Sequence, residues 1–320
     1  MLLTRRTCIS TLAASGAAAF TAPIVSPALA AEKISVLVMD LTELAPIYLG
    51  KAKGFFAKQN LAIDIAARHG GPIIIAGVLA GEGQFGFSNI TSLLMAQEQG
   101  AQLVGLAPGS ASTGVRGDDF LAVVAAPDSP INSAKDLEHK KVGLNDLQNM
   151  GNLAMVAAVS TAGGDPKTVD FVKISFPDMW TAIVNHQIDA ALVAEPFITM
   201  ARARGAKLVD WPLVDITPKL TMALYFTTQK YANAHPDIVK RFKAAILESL
   251  AYAQSHIDEV RKIIPTIPSR ARIDAALAAK IMLSAFPTEV NRQSAQILAD
   301  LSLQDGLISK KADLAALLPQ

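Results

Sequence analysis

Short apolar runs alternate with segments of helical periodicity from Ile34 to Leu208, and beyond Pro236 the pattern is helical almost to the end. The runs predict strands at 34–39, 61–67, 85–87, 103–107, 121–126, 141–144, 169–174, 190–193, 208–209 and 220–227. Such alternation belongs to the α/β class, with mainly parallel sheets covered by helices on both faces. A chain of 320 residues exceeds the usual single core, so two lobes are expected. The apolar, extended runs LAVVAA (121–126) and TMALYFTT (221–228) bracket a block with its own strand and helix alternation, which is read as the second lobe.

The segment APIYLGKAKGFFAKQNLAIDI, 45–65, shows the pattern at residue level. Pro46 suits the first helical turn, where a missing N–H costs nothing, and Gly54 can end the helix in the left-handed conformation. Phe55 and Phe56 supply apolar bulk, and Asn60 tolerates positive φ at the turn into LAIDIA.

Ligands of open parallel sheets bind beyond the carboxyl ends of strands, where helix N-termini present free N–H groups. After the first strand that rule selects Leu41, Thr42 and Glu43; after the second it selects Arg68, His69 and Gly70, with Pro72 starting a helix. Ser88 and Asn89 follow the third strand as good N-caps, and a small polar loop, GSASTG (109–114), contains Ser110. In the second lobe Asn149, Met150, Gly151 and Asn152 lie where a helix begins, and Glu195 precedes Pro196, again placed to open a helix. Each has a structural reading beside the functional one. Ser88 can cap its helix, Arg68 can be a surface charge, Glu195 can organise its turn, and Arg116 can pair with Asp118 and Asp119. Tyr48 and Trp180 sit at helical spacing, as core residues do.

Magnitudes limit what helix termini can do. One terminus contributes about 0.3–1 kcal/mol toward an anion, whereas binding at ~1 µM needs about 8 kcal/mol. Direct hydrogen bonds or apolar burial must supply the rest. A small oxyanion would call for Arg68 or Arg116 nearby, and an aromatic ligand for Tyr48, Trp180 and the region of Phe87. Basic residues are sparse in these loops, which favours an organic ligand with an anionic or polar end.

Residues 1–30 read as an export signal: Arg5 and Arg6, an apolar region over 9–24, and an Ala28-Leu29-Ala30 cleavage site. The paired arginines point to the twin-arginine route. Cys8 precedes the apolar region, so it is not a lipid-anchor cysteine. Cleavage would take the net charge from +1 to −1 and remove the chain's one cysteine, which excludes disulfides, thiol chemistry and a nucleic-acid partner. The 51% hydrophobic content and mean hydropathy of +0.33 owe much to alanine and to this signal, and no mature stretch is long and apolar enough to span a bilayer. GxSxG and HExxH do not occur, so neither a catalytic triad nor a metal or other cofactor is expected.

APIYLG, KGFF, NLAIDI and GEGQFG, in that order, followed by the EPF segment in 188–209, resemble the periplasmic substrate-binding proteins of ABC importers. The resemblance is to the nitrate, taurine and alkanesulfonate group and its thiamine-pyrimidine-precursor relatives. Gln84 departs from that pattern, where the group usually has aspartate, and 185–187 lacks its usual glycine. The resemblance implies a two-lobed type 2 periplasmic-binding-protein fold with two hinge strands, one lobe at 31–123 plus 223–320 and the other at 124–222. It also implies a periplasmic monomer that binds a small organic anion or polar heterocycle and delivers it to permease transmembrane subunits. The loops at Thr42, His69, Ser88, 149–152 and Glu195 would face its cleft. Enzymes on the same fold use cysteine, which the mature chain lacks; a sensory role shares the same lobes and is not separable from transport by sequence.

Overall fold

A computed structural model describes residues 30–268 and 271–319. The paired arginines, Cys8 and the expected cleavage residues Ala28 and Leu29 lie outside the described residues. The strands are β1 (Glu32–Met39), β2 (Leu61–Arg68), β3 (Phe85–Asn89), β4 (Leu103–Ala111), β5 (Leu121–Ala125), β6 (Lys141–Leu144), β7 (Asp170–Lys173), β8 (Ala190–Ala194), β9 (Lys207–Asp210) and β10 (Thr221–Thr228). The helices in the first half are α1 (Ala45–Ala52), α2 (Phe55–Lys58), α3 (Gly71–Ala80), α4 (Ile90–Glu98), α5 (Met150–Thr161) and α6 (Phe176–Val184). Then come α7 (Phe197–Arg202), α8 (Pro212–Ile216), α9 (Gln229–Ala234), α10 (Pro236–Ser255), α11 (Ile257–Ile263), α12 (Ala275–Ala278), α13 (Arg292–Gln304) and α14 (Leu314–Leu317).

Two five-stranded sheets share one plan. Their orders are β2-β1-β3-β10-β4 and β7-β6-β8-β5-β9, and in each the fourth strand alone runs antiparallel to its neighbours. Those reversed strands, β5 and β10, are the two apolar runs that bracket the second lobe in the sequence. All of β5 pairs in the second sheet and all of β10 in the first. The chain therefore changes sheets within 112–120 and again within 217–220.

Local chemistry accounts for the joints. Pro46 sits in the first turn of α1, Gly54 follows its end at φ +78°, and Asn60 turns into β2 at φ +54°. In the first lobe Phe85 stacks on Phe242 of α10 at 3.8 Å between ring centroids, and Phe56 packs on the same ring at 6.0 Å. In the second, Val124, Met179, Ile183, Val193 and Ile198 form a smaller core.

Two expectations change. Residues 109–111, expected in a loop, extend β4, because Ala111 still pairs with β10 and Gly109 lets the Phe87 ring lie against its backbone; a Cβ there would come within 2.2 Å of that ring. Arg116 pairs with Asp210 and Asp215 of the second lobe rather than with Asp118 and Asp119. Asp119 turns inward instead and accepts hydrogen bonds from Ser112 Oγ and the Phe120 N–H.

A further connection comes from the C-terminal part. Met282 packs in the second lobe's core and donates its N–H to Glu195 Oε1 at 3.0 Å, while Ala285 bridges Ala111 at the end of β4. Residues 280–286 thus strap the two sheets together beside the chain crossings.

Candidate functional site

In both sheets the strand order reverses at the central pair, β1/β3 and β6/β8, and the loops beyond these carboxyl ends meet. Helices α4 and α5 begin there. Asn89 caps α4 by accepting from the Ser92 N–H at 2.8 Å, and Asn149 caps α5 by accepting from Gly151 and Asn152 at 2.8 and 3.3 Å. Across the gap Thr91 Oγ1 donates to Met150 Sδ at 3.6 Å, so the two helix starts touch at the floor of the cleft.

Above this contact lies an inner cavity of about 50 Å³. Leu41, Glu43, Phe87 and Asn89 enter it from the first lobe; Asn145, Asn149, Met150 and Gly151 enter from the second. Phe120 and Met222, beside the crossings, and Phe176 at the start of α6 add apolar wall. An outer mouth of about 370 Å³ shares Met39, Leu41, Asn145 and Phe176 with it, and is rimmed by Arg68, His69, Gly70 and Lys173. The rim charges are matched: Arg68 Nη2 lies 3.4 Å from Glu82 Oε2, and Lys173 Nζ lies 2.9 Å from Asp146 Oδ2.

Glu43 is the most unusual group. The short 3₁₀ turn Thr42–Leu44, between β1 and α1, carries it inward, and it is only 3% exposed. Ser110 Oγ donates to its Oε2 at 2.9 Å, whereas Oε1 is buried with no hydrogen-bond partner. Burial pushes its carboxyl up to about 7, with the Ser110 hydrogen bond pulling the other way. The Tyr225 hydroxyl is likewise buried without a partner, and burial, then the neighbouring Glu43, drives it far above the usual phenol range. An ionised Glu43 about 5 Å from a bound oxyanion would cost on the order of 3 kcal/mol at an effective dielectric of 20. That exceeds the roughly 0.3–2 kcal/mol one helix terminus returns.

The other expected residues stand elsewhere. Thr42 is buried in its turn, and Asn152 lies one step along α5 from the lining. Ser88 points at Gly71, where an added Cβ would sit 2.4 Å from its Oγ, so it packs under the start of α3 and not as the cap of α4. Ser110 acts through Glu43. Glu195 is consumed by structure: Oε1 accepts from Thr199 Oγ1 at 2.7 Å and from Met282, and Oε2 accepts from the Thr199 N–H at 3.0 Å. Trp180 and Tyr48 do not line the cleft. Phe120, Phe176 and Met222 went unforeseen; only Phe176 had a signal, as the residue leading from β7 into a Pro-started helix. A larger hollow, about 610 Å³, lies at the opposite sheet edge between α4 and 308–316; it takes no residue from the second lobe.

Among known proteins the chain is similar to the taurine-binding periplasmic protein of Escherichia coli, 23% identical over 220 residues, 68% of this chain and 66% of that protein. It is also similar to the riboflavin-binding protein RibY of Chloroflexus aurantiacus, 21% identical over 89% of this chain and 80% of that protein. The aliphatic sulphonate binding protein SsuA of Escherichia coli superposes with a TM-score of 0.69 at 19% identity, over 88% of this chain and 96% of that structure. The fold is therefore that of the periplasmic binding proteins. Residues 41–260, from the Glu43 turn to α11, match the family described as NMT1/THI5 like, and the chain belongs to that family.

Proposed function

We propose that the protein is the solute-binding component of an ABC importer. One lobe, built on 31–111 with 221–320, and the other, built on 121–216, close around a small solute in the periplasm, and the closed form is handed to the permease's transmembrane subunits. The observation that carries this reading is a cavity built from both sheets at their strand-order reversals, sealed at its floor by two touching helix starts. Catalysis has little to work with there. The chain's one cysteine, Cys8, falls in the expected export signal, and the inner cavity offers carboxamides and one carboxyl but neither a thiol nor a histidine. The protein is read as a binder and not an enzyme.

Relatives at 21–23% identity are named for taurine and for riboflavin, solutes with little chemistry in common. Cleft side chains, not overall similarity, must therefore decide the ligand. Native mass spectrometry of protein freshly purified from its host is expected to find one retained small solute per chain. Adding that solute to stripped protein should raise the melting temperature and shrink the radius of gyration in X-ray scattering. No retained solute, together with no response to sulfonates, carboxylates, nitrate, bicarbonate or pyrimidines, would count against transport.

A further inference from the structure

The inner cavity holds an acid and no cation. Glu43 Oε1 is buried with its hydrogen-bonding capacity unused, while Oε2 is already held by Ser110. No lysine, arginine or histidine lines the inner cavity, and the nearest rim cations, Arg68 and Lys173, are engaged by Glu82 and Asp146. Arg116, the other arginine considered for an oxyanion, is clasped by Asp210 and Asp215 outside the cleft. The two N-cap asparagines spend their side-chain oxygens on their own helices.

From this arrangement, and resting on the importer reading above, we propose that the solute presents a nitrogen-borne hydrogen-bond donor to Glu43 Oε1. An ammonium, an amidinium or an amino group on a ring would serve, its apolar body lying among Phe87, Phe120 and Phe176, and simple oxyanions would be poor ligands. The reasoning is one of satisfaction. A buried acceptor left unpaired is costly; a donor from the ligand pairs it, and a cationic donor also supplies the missing counter-charge. Met39, Met150 and Met222 around the aromatic walls can adapt to the body's outline. The neighbouring titratable groups supply no counter-charge: Tyr225 of β10 and Tyr48 of α1 are phenols, the latter pushed up to about 12, and stay neutral, and the Tyr225 hydroxyl makes no hydrogen bond to Glu43.

Benzamidine and benzoate share a shape and differ in charge, which makes them a direct test. By titration calorimetry at pH 7.5, benzamidine is expected to bind at least ~10-fold more tightly than benzoate or ethanesulfonate, the range a charge-assisted hydrogen bond spans. E43Q should lose about that factor for benzamidine and none for benzoate, while melting no lower than the parent protein, which shows it is folded. The proposal is overturned by tighter binding of either anion, by E43Q leaving benzamidine affinity unchanged, or by no benzamidine binding at all. An anionic solute retained from the host overturns it too, yet leaves the importer reading standing. Absence of any retained solute bears on that reading instead.

Discussion

Gly50 shows how one side chain can be dictated from far along the chain. The APIYLG segment ends in glycine because the second half of α10 presses Ser249 against the α1 backbone. A Cβ at residue 50 would lie 1.8 Å from Ser249 Oγ and 2.7 Å from its Cβ. Gly50→Ala is expected to cost about 1–3 kcal/mol in urea unfolding, and adding Ser249→Ala should recover part of it by removing the nearer contact. A Gly50→Ala protein as stable as the parent would mean that α10 yields freely. The same long-range dependence explains which site residues could be read beforehand. Leu41, Glu43, Asn89 and Asn149 follow a strand and precede a helix, so the loop rule finds them; that Glu43 is buried with one idle oxygen depends on Ser110, which is distant in sequence. Phe120 and Met222 look like ordinary core because each leads into an apolar strand run. Only the meeting of the lobes turns them into cavity wall.

Elements were more legible than sites, since each expected strand is a local apolar run with local punctuation. The strand at 109–111 is hidden in the sequence because glycine and serine normally mark a loop, as they do at 112–114. Here small residues are needed so that β4 can continue beneath Phe87 while pairing with β10. The strap at 280–286 left no periodic signal at all, being neither helix nor strand for most of its length. Its anchor is the turn after β8, where Glu195 gathers Thr199 and Met282. We read Glu195 as a strap residue on that basis. Glu195→Gln replaces one acceptor oxygen with a donor that faces other donors, so it is expected to lower stability by roughly 1–3 kcal/mol. Affinity for the retained solute should stay within about twofold, measured on the same preparation. A large affinity loss at unchanged melting temperature would return Glu195 to the ligand.

Across the whole molecule, the buried acids should give the protein an unusual dependence on pH. Burial raises Glu43 to about 7 and Asp119, in the crossing segment, to about 6; Asp215 is raised to about 6 by burial and then by the Asp210 charge, while Arg116 pulls it down. A carboxyl whose folded value lies above its unfolded one binds its proton more tightly in the native state. Native protein then holds more protons than unfolded chain throughout the window between the two values, and stability rises as pH falls through it. Each such proton contributes about 1.4 kcal/mol per pH unit within its own window. The groups held low, among them Asp146 and Glu98, work in the opposite sense only near and below their ordinary values, close to pH 4. Ligand-free protein should therefore need more urea to unfold at pH 5.5 than at pH 7.5. Glu43→Gln should raise stability at pH 7.5 and flatten the upper part of the curve, from about pH 7.5 to 6, leaving the part due to Asp119 and Asp215 in place. A solute that pairs with Glu43 as a cation would draw its proton off, so saturating ligand should flatten the same upper segment in the parent protein. An anionic solute would steepen it by favouring the protonated acid, so the two classes of ligand are told apart by the sign of the change.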